Sequence, residues 1–207
     1  MELNEKQLQI VQVAEKLFAE HGFAGTSVRQ IAKEANINIA MISYYFGSKE
    51  KLLEHMVVYR MSDFKGELDT IINQDSSFKS RFNQIIELFV QRIHKNNRIY
   101  KIVHTELSNS TRCLTFEHYL VQKKNNYDAL TEFINKGQEQ YEFKKNIEIP
   151  LIIPTILGTY FDFHHNQVFF KETYNLDTPE AIERYINHTI VKHLQTMLCA
   201  MVCIEAS

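Results

Sequence analysis

Helix-breaking residues are scarce along this chain, with only six glycines and three prolines in 207 residues. Apolar side chains recur at three- and four-residue spacing nearly throughout, and long polar–apolar alternation is rare. Together these features predict an all-α fold. A hydrophobic content of 44% is enough for a packed core, and the length allows one or two domains.

Local signals then divide the chain. A first helix is expected over about residues 4–21, with Ile10, Ala14, Leu17 and Phe18 on one stripe and Gly22 as its stop. Ser27 starts a short second helix. Gln30 stands three residues later, as in a capping box, and Val28, Ile31, Ala32 and Ala35 form the helix's apolar face. Asn36, Ile37 and Asn38 make a turn with an apolar centre. Asn38 can cap a third helix that ends at Phe46 and Gly47. Ser48 caps a fourth helix, expected to reach about Ile72 although Gly66 weakens it. The stretch 73–77 is polar and turn-like, and a domain boundary is expected near residue 60, giving domains 1–60 and 61–207. Five more helices are expected, over about 77–94, 97–110, 114–141, 148–174 and 178–203. The last is announced by Thr178 as cap, Pro179 at the first helical position and Glu180 at the positive end of the dipole.

Two short helices joined by a three-residue turn, over residues 27–46, read as a helix-turn-helix whose second helix enters a DNA major groove. Ile42 and Phe46 can pack inward on Ile31 and Ala35. That leaves Ile39, Ala40, Met41, Ser43 and Tyr44 available towards the groove. Arg29 and Lys49 flank the unit at opposite ends as phosphate contacts. Residues 25–51 carry four basic side chains against two acidic ones, a weak footprint that a dimer would double. Bulk charge adds no hint, since the net charge is −2.

The segments AEKLFAEHG (14–22), GTSVRQIAKEA (25–35), NINIAMISYYF (36–46) and GSKEKL (47–52) resemble, in order, the N-terminal domain of the TetR (tetracycline-repressor) family. The resemblance covers about residues 5–60. It implies a homodimer on a palindromic double-stranded DNA operator and a C-terminal helical domain for effector binding and dimerisation. It also implies phosphate contacts from Ser27, Arg29, Tyr44, Tyr45 and Lys49, and groove contacts from Asn38, Ile39, Ala40, Met41 and Ser43. The family often has Lys, Gly, Thr and Tyr where this chain has Ile39, Ala40, Met41 and Ser43. The reading face is therefore more apolar, and thymine methyl contact and DNA shape gain weight in readout.

Aromatic residues are frequent over 78–174 and can line an apolar cavity. Tyr100, His104, Tyr127 and Phe161 are the candidates there, for a lipophilic or aromatic small molecule that would release a repressor from its operator. On the final helix Ile182, Ile186, Ile190 and Leu194 recur every four residues. The last two helices are expected to pair with a second copy in a four-helix bundle.

Adjacent His164 and His165 point about 100° apart on a helix, so neither a metal site nor a cofactor is expected. No GxSxG, HExxH or phosphate-cradling glycine loop is present, which argues against an enzyme. Cys113, Cys199 and Cys203 include no CxxC pair, and Cys199 and Cys203 read as buried small hydrophobes. A polar N-terminus and a longest apolar run of only 197–204 lead to the expectation of a cytoplasmic protein with no membrane span.

Overall fold

A computed structural model describes residues 3–62, 64–107 and 117–204, and among them the chain is helical nearly throughout, as the spacing predicted. The helices are α1 (Glu5–Gly25), α2 (Val28–Glu34), α3 (Ile39–Phe46), α4 (Lys49–Met61), α5 (Phe64–Ile72), α6 (Phe78–Lys95), α7 (Asn97–Leu107), α8 (Glu117–Glu139), α9 (Ile152–His165), α10 (Gln167–Tyr174), α11 (Pro179–Arg184) and α12 (Val191–Val202). Cys113 and the expected helix ends at 110 and 114 lie outside the described residues.

The chain forms two compact units, Met1–Asp63 with Asn96–Lys124, and Phe64–Lys95 with Asn125–Ser207. The first is built on α1. Asn4 caps it with a full reciprocal box, the Asn4 side chain accepting from the Gln7 N–H and the Gln7 side chain from the Asn4 N–H. Its Ile10, Ala14, Leu17 and Phe18 are buried with Ile31, Ile42, Phe46, Leu53 and Met56 of the next three helices. Gly22 breaks the helix at φ +74, a conformation that costs glycine little. Helix α7 also belongs here, because its apolar residues Ile99, Ile102 and Val103 join this same core. The boundary expected near residue 60 therefore misses a helix that returns from further along the chain.

The fourth helix does not reach Ile72. It stops at Met61, where the Ser62 hydroxyl donates to the Tyr59 carbonyl at 2.9 Å, and a new helix starts at Phe64. Gly66 lies inside α5 without breaking it.

The second unit is organised around α6, which buries Phe78, Phe82, Ile85, Ile86, Phe89, Val90 and Ile93. After α8 the chain turns back, and Phe143 enters a ring cluster with Phe78, Phe82 and Phe133. Gly137 makes this possible, since a Cβ there would collide with the Phe143 ring.

Both long helices expected after residue 148 are interrupted. One breaks at Asn166, whose side chain donates to the Asp162 carbonyl and carboxylate. The other contains a π-helical stretch, Tyr185–Ile190, between α11 and α12. A strict four-residue repeat drifts by about 40° per step on an ideal α-helix. The wider π turns take up that drift. As a result Ile186, Ile190, Leu194, Leu198 and Val202 are all buried within the unit. This corrects one expectation: apart from half-buried Ile182, the stripe expected to meet a second copy is already covered by the chain's own helices.

Candidate nucleic-acid interface

Helices α2 and α3 are set by their caps. The Ser27 hydroxyl accepts from the Gln30 N–H at 3.1 Å, and Asn38 Oδ1 accepts from the Ala40 N–H at 2.9 Å. Between them Asn36 adopts φ +50, and the Ile37 N–H reaches the Ala32 carbonyl at 3.0 Å. Ile37 packs on the core and fixes the angle of the turn. Gly47 at φ +80 then releases the chain into α4.

Helix α3 points Ile42 and Phe46 inward, 1% and 3% exposed. Its outer face presents Asn38, Ile39, Ala40, Ser43 and Tyr44 to solvent, with Ile39 at 44% and Tyr44 at 83% exposure. Met41 is half-buried. Tyr45 is also half-buried, packing on the core and meeting Tyr44 edge-on at 5.1 Å. Ser27 and Arg29 are exposed at the start of α2. Sequence spacing had grouped these residues, and of them Asn38, Ile39, Ala40, Ser43 and Tyr44, with Ser27 and Arg29, are exposed. The open N–H groups at the starts of α2 and α3 add anion-binding capacity beside them.

Lys49 has a task that sequence reading did not assign. Its ammonium donates to the Phe23 and Thr26 carbonyls, each at 2.8 Å, and lies 4.2 Å from the Phe23 ring centroid. It thus holds the end of α1 against the start of α4, directly beneath the Ser27 cap. Thr26 reinforces the junction. It is 1% exposed and its hydroxyl contacts the Leu17 and Gly22 carbonyls. Gln9 donates to the Ala35 carbonyl at 2.9 Å and ties α1 to the end of α2.

The charged groups of this unit are also organised. Arg60 on α4 donates to Glu15 on α1 at 2.8 Å, bridging positions 45 residues apart that no periodicity connects. The Glu50 carboxyl is held below its usual range by its own backbone N–H and by the Ser48 hydroxyl. His118, in the first turn of α8, contacts Glu54 at 2.8 Å. This hydrogen bond raises the imidazole and lowers the carboxylate.

The four effector candidates do not fall together. Tyr100 and His104 stand on α7 in the first unit, with His104 solvent-exposed. Tyr127 and Phe161 stand on α8 and α9 in the second, both half-buried. Burial pushes the Tyr127 hydroxyl up. Among the described residues no group of three or more His, Cys, Asp or Glu side chains is placed to hold a metal. None of their helices is long and apolar enough to cross a membrane.

Comparison with known proteins agrees with this geometry. Residues 10–56 match the family described as bacterial regulatory proteins, tetR family, and residues 58–192 match the YsiA-like protein, C-terminal region. Probable HTH-type transcriptional regulator YttP of Bacillus subtilis is 31% identical over 140 residues, which is 65% of this chain and 66% of that protein. Among solved structures, FadR from Bacillus subtilis in complex with stearoyl-CoA superposes with a TM-score of 0.67 at 20% identity, covering 91% of this chain and 97% of the other. A transcriptional regulator from Saccharomonospora viridis in complex with choline gives 0.74 at 16% identity, covering 98% of this chain and all of the other.

Proposed function

The chain belongs to the tetR family of DNA-binding transcriptional regulators, and from that premise we propose that it is a cytoplasmic repressor released from a palindromic operator by a small apolar effector. The observation that carries the DNA reading is the outer face of α3, which is solvent-exposed and rigidly held from behind by Ile42 and Phe46. Arg29 and the Ser27 hydroxyl at the start of α2 supply phosphate contacts, while Ile39, Ala40 and Met41 read thymine methyls and groove shape. Selecting genomic fragments with the purified protein tests this directly. Enrichment of one palindrome supports the reading, and recovery of random fragments sinks it.

Dimerisation uses what remains after the subunit has buried its own stripe. On the π stretch and α12, Thr189, His193, Thr196 and Ala200 are exposed at four-three-four spacing. Pro154, Gly158, Phe161 and His165 on α9 repeat that spacing, exposed except for half-buried Phe161. A cleft of about 430 Å³, with Thr159 and Asp162 on one wall and Thr189 and His193 on the other, runs between these helices. Small residues at such a seam let two helix pairs approach closely. In this arrangement Phe161 serves the dimer, and Tyr127 becomes the leading effector contact.

The two solved neighbours hold very different ligands, a long-chain acyl-CoA and choline. The aromatic interior of the second unit favours the apolar class. Titrating the operator complex with stearoyl-CoA and with choline separates them. Release by the acyl-CoA alone is expected, and release by choline alone would reverse the assignment.

A further inference from the structure

We propose that Gln9 is a positioning residue for operator recognition: its hydrogen bond to the Ala35 carbonyl sets the angle at which α3 meets the groove. The inference rests on the reading of α3 as the groove helix. Ala35 ends α2, stands immediately before the turn and is buried at 1% exposure. The carbonyls before it are used within the helix-turn-helix itself. Ile31 accepts from the Ala35 N–H, Lys33 from the Asn36 N–H and Ala32 from the Ile37 N–H. The Ala35 carbonyl instead accepts from Gln9 Nε2 at 2.9 Å, across 26 positions of sequence. Among the described residues no other side chain from outside the helix-turn-helix hydrogen-bonds to residues 35–38.

Gln9 is well placed to hold that angle. It is half-buried on α1, next to fully buried Ile10, and the Asn4 capping box closes the turn before it. Lys6 donates to Gln9 Oε1 at 3.4 Å, a long contact that occupies the amide oxygen and leaves the nitrogen to Ala35.

The other tie at the turn is Ile37, which packs on the core of the first unit. Apolar burial is non-directional and lets a turn pivot. A hydrogen bond weakens steeply away from its preferred geometry, so the Gln9 contact selects one angle. Leverage makes that angle matter. Helix α3 has eight residues. A helix of that size is about 12 Å long, so a tilt of about 10° displaces one end against the other by about 2 Å. That exceeds the roughly 0.5 Å over which a hydrogen bond to a base edge keeps its length.

The test compares Gln9→Met, of similar length but without a donor, with Gln9→Lys, which supplies one. Affinity is measured on the operator selected by the wild-type protein and on random duplex DNA of equal length. Gln9→Met is expected to lose about tenfold on the operator, the cost of about one base contact. Its affinity for random DNA and its salt slope should stay unchanged, because no charge has been removed. Gln9→Lys adds a charge that strengthens both complexes, and the ratio between them should recover. Residual dipolar couplings of the deuterated full-length protein should show α3 reoriented against α1 in Gln9→Met and restored in Gln9→Lys. The proposal fails if Gln9→Met keeps the wild-type ratio, if both affinities fall together, or if α3 keeps its orientation. It also fails if circular dichroism shows Gln9→Met unfolded, since the bond would then hold the core rather than aim the helix. If the wild-type protein selects no operator, the groove reading of α3 fails instead, and the dipolar couplings alone decide the role of Gln9.

Discussion

Helices α3 and α12 make an instructive pair. Each carries apolar residues at helical spacing and each has an outward face, but the two faces meet different fates. In α3 Ile42 and Phe46 are buried, Tyr45 packs partly on the core, and Ile39, Ala40, Ser43 and Tyr44 stay exposed. In α12 and the π stretch before it, the regular isoleucine and leucine stripe is consumed inside the subunit. Among the residues left exposed are Thr189, His193, Thr196 and Ala200, which no hydrophobicity rule would select. Apolar spacing announces that a face is covered without saying what covers it.

The sharpest way to break this comparison is to damage each face of α12 separately. Leu194→Ala is expected to cost about 2–5 kcal/mol through a core cavity, and it should lower thermal stability at any protein concentration. Thr196→Arg should leave the subunit's own packing intact and shift the protein from dimer to monomer in light scattering. If Leu194→Ala acts only on the dimer, the assignment of the two faces is inverted.

The same division can be made around α3. Lys49→Met removes two charge-assisted hydrogen bonds and should destabilise the first unit by about 2–4 kcal/mol, visible in denaturant unfolding without DNA. Arg29→Ala should leave that unfolding unchanged. It should instead weaken binding to all sequences and reduce the salt slope of operator binding by about one per subunit. Equal effects of both variants on stability would remove the distinction between scaffold and contact residue. Gly137→Ala tests the corresponding backbone requirement of the second unit. Crowding against Phe143 should cost about 1–3 kcal/mol, which a Phe143→Leu change would partly relieve.

The smallest effect is the pH dependence of the His118–Glu54 contact. The histidine is raised, so its contribution is complete below its ordinary value near 6.5 and is lost as pH rises through the higher folded value. Glu54 is lowered, so its contribution is present above about 4.5 and is lost as pH falls through the lower folded value. The pair therefore acts in the window between them, and salt screens it because His118 is exposed. His118→Gln should flatten the stability profile as pH rises above about 6.5. A His118 titration midpoint at or below 6.5 by NMR would show that the contact does not form in solution.

Much of the reading helix was legible from sequence. Ser27, Asn38 and Ser48 act within three residues of themselves, and glycine at 22 and 47 stops the chain by its own conformational freedom. Such effects need no knowledge of the rest of the fold. The effector candidates were less legible, because aromatic content does not say which residues come together. Tyr100 and His104 belong to one unit and Tyr127 and Phe161 to the other.

The helical class, the helix-turn-helix and its exposed residues were therefore determined by the sequence itself, through caps and periodicities that operate over a few residues. Tertiary structure alone decided the rest. It brought α7 back to the first unit, put Arg60 against Glu15, and turned Lys49 towards the end of α1. It also buried the α12 stripe and set Cys199 beside Asn83, 116 residues away in the chain. The physical reason is common to all of these. Hydrophobic burial is non-directional, so a pattern can demand a covering surface while only the packed chain selects one.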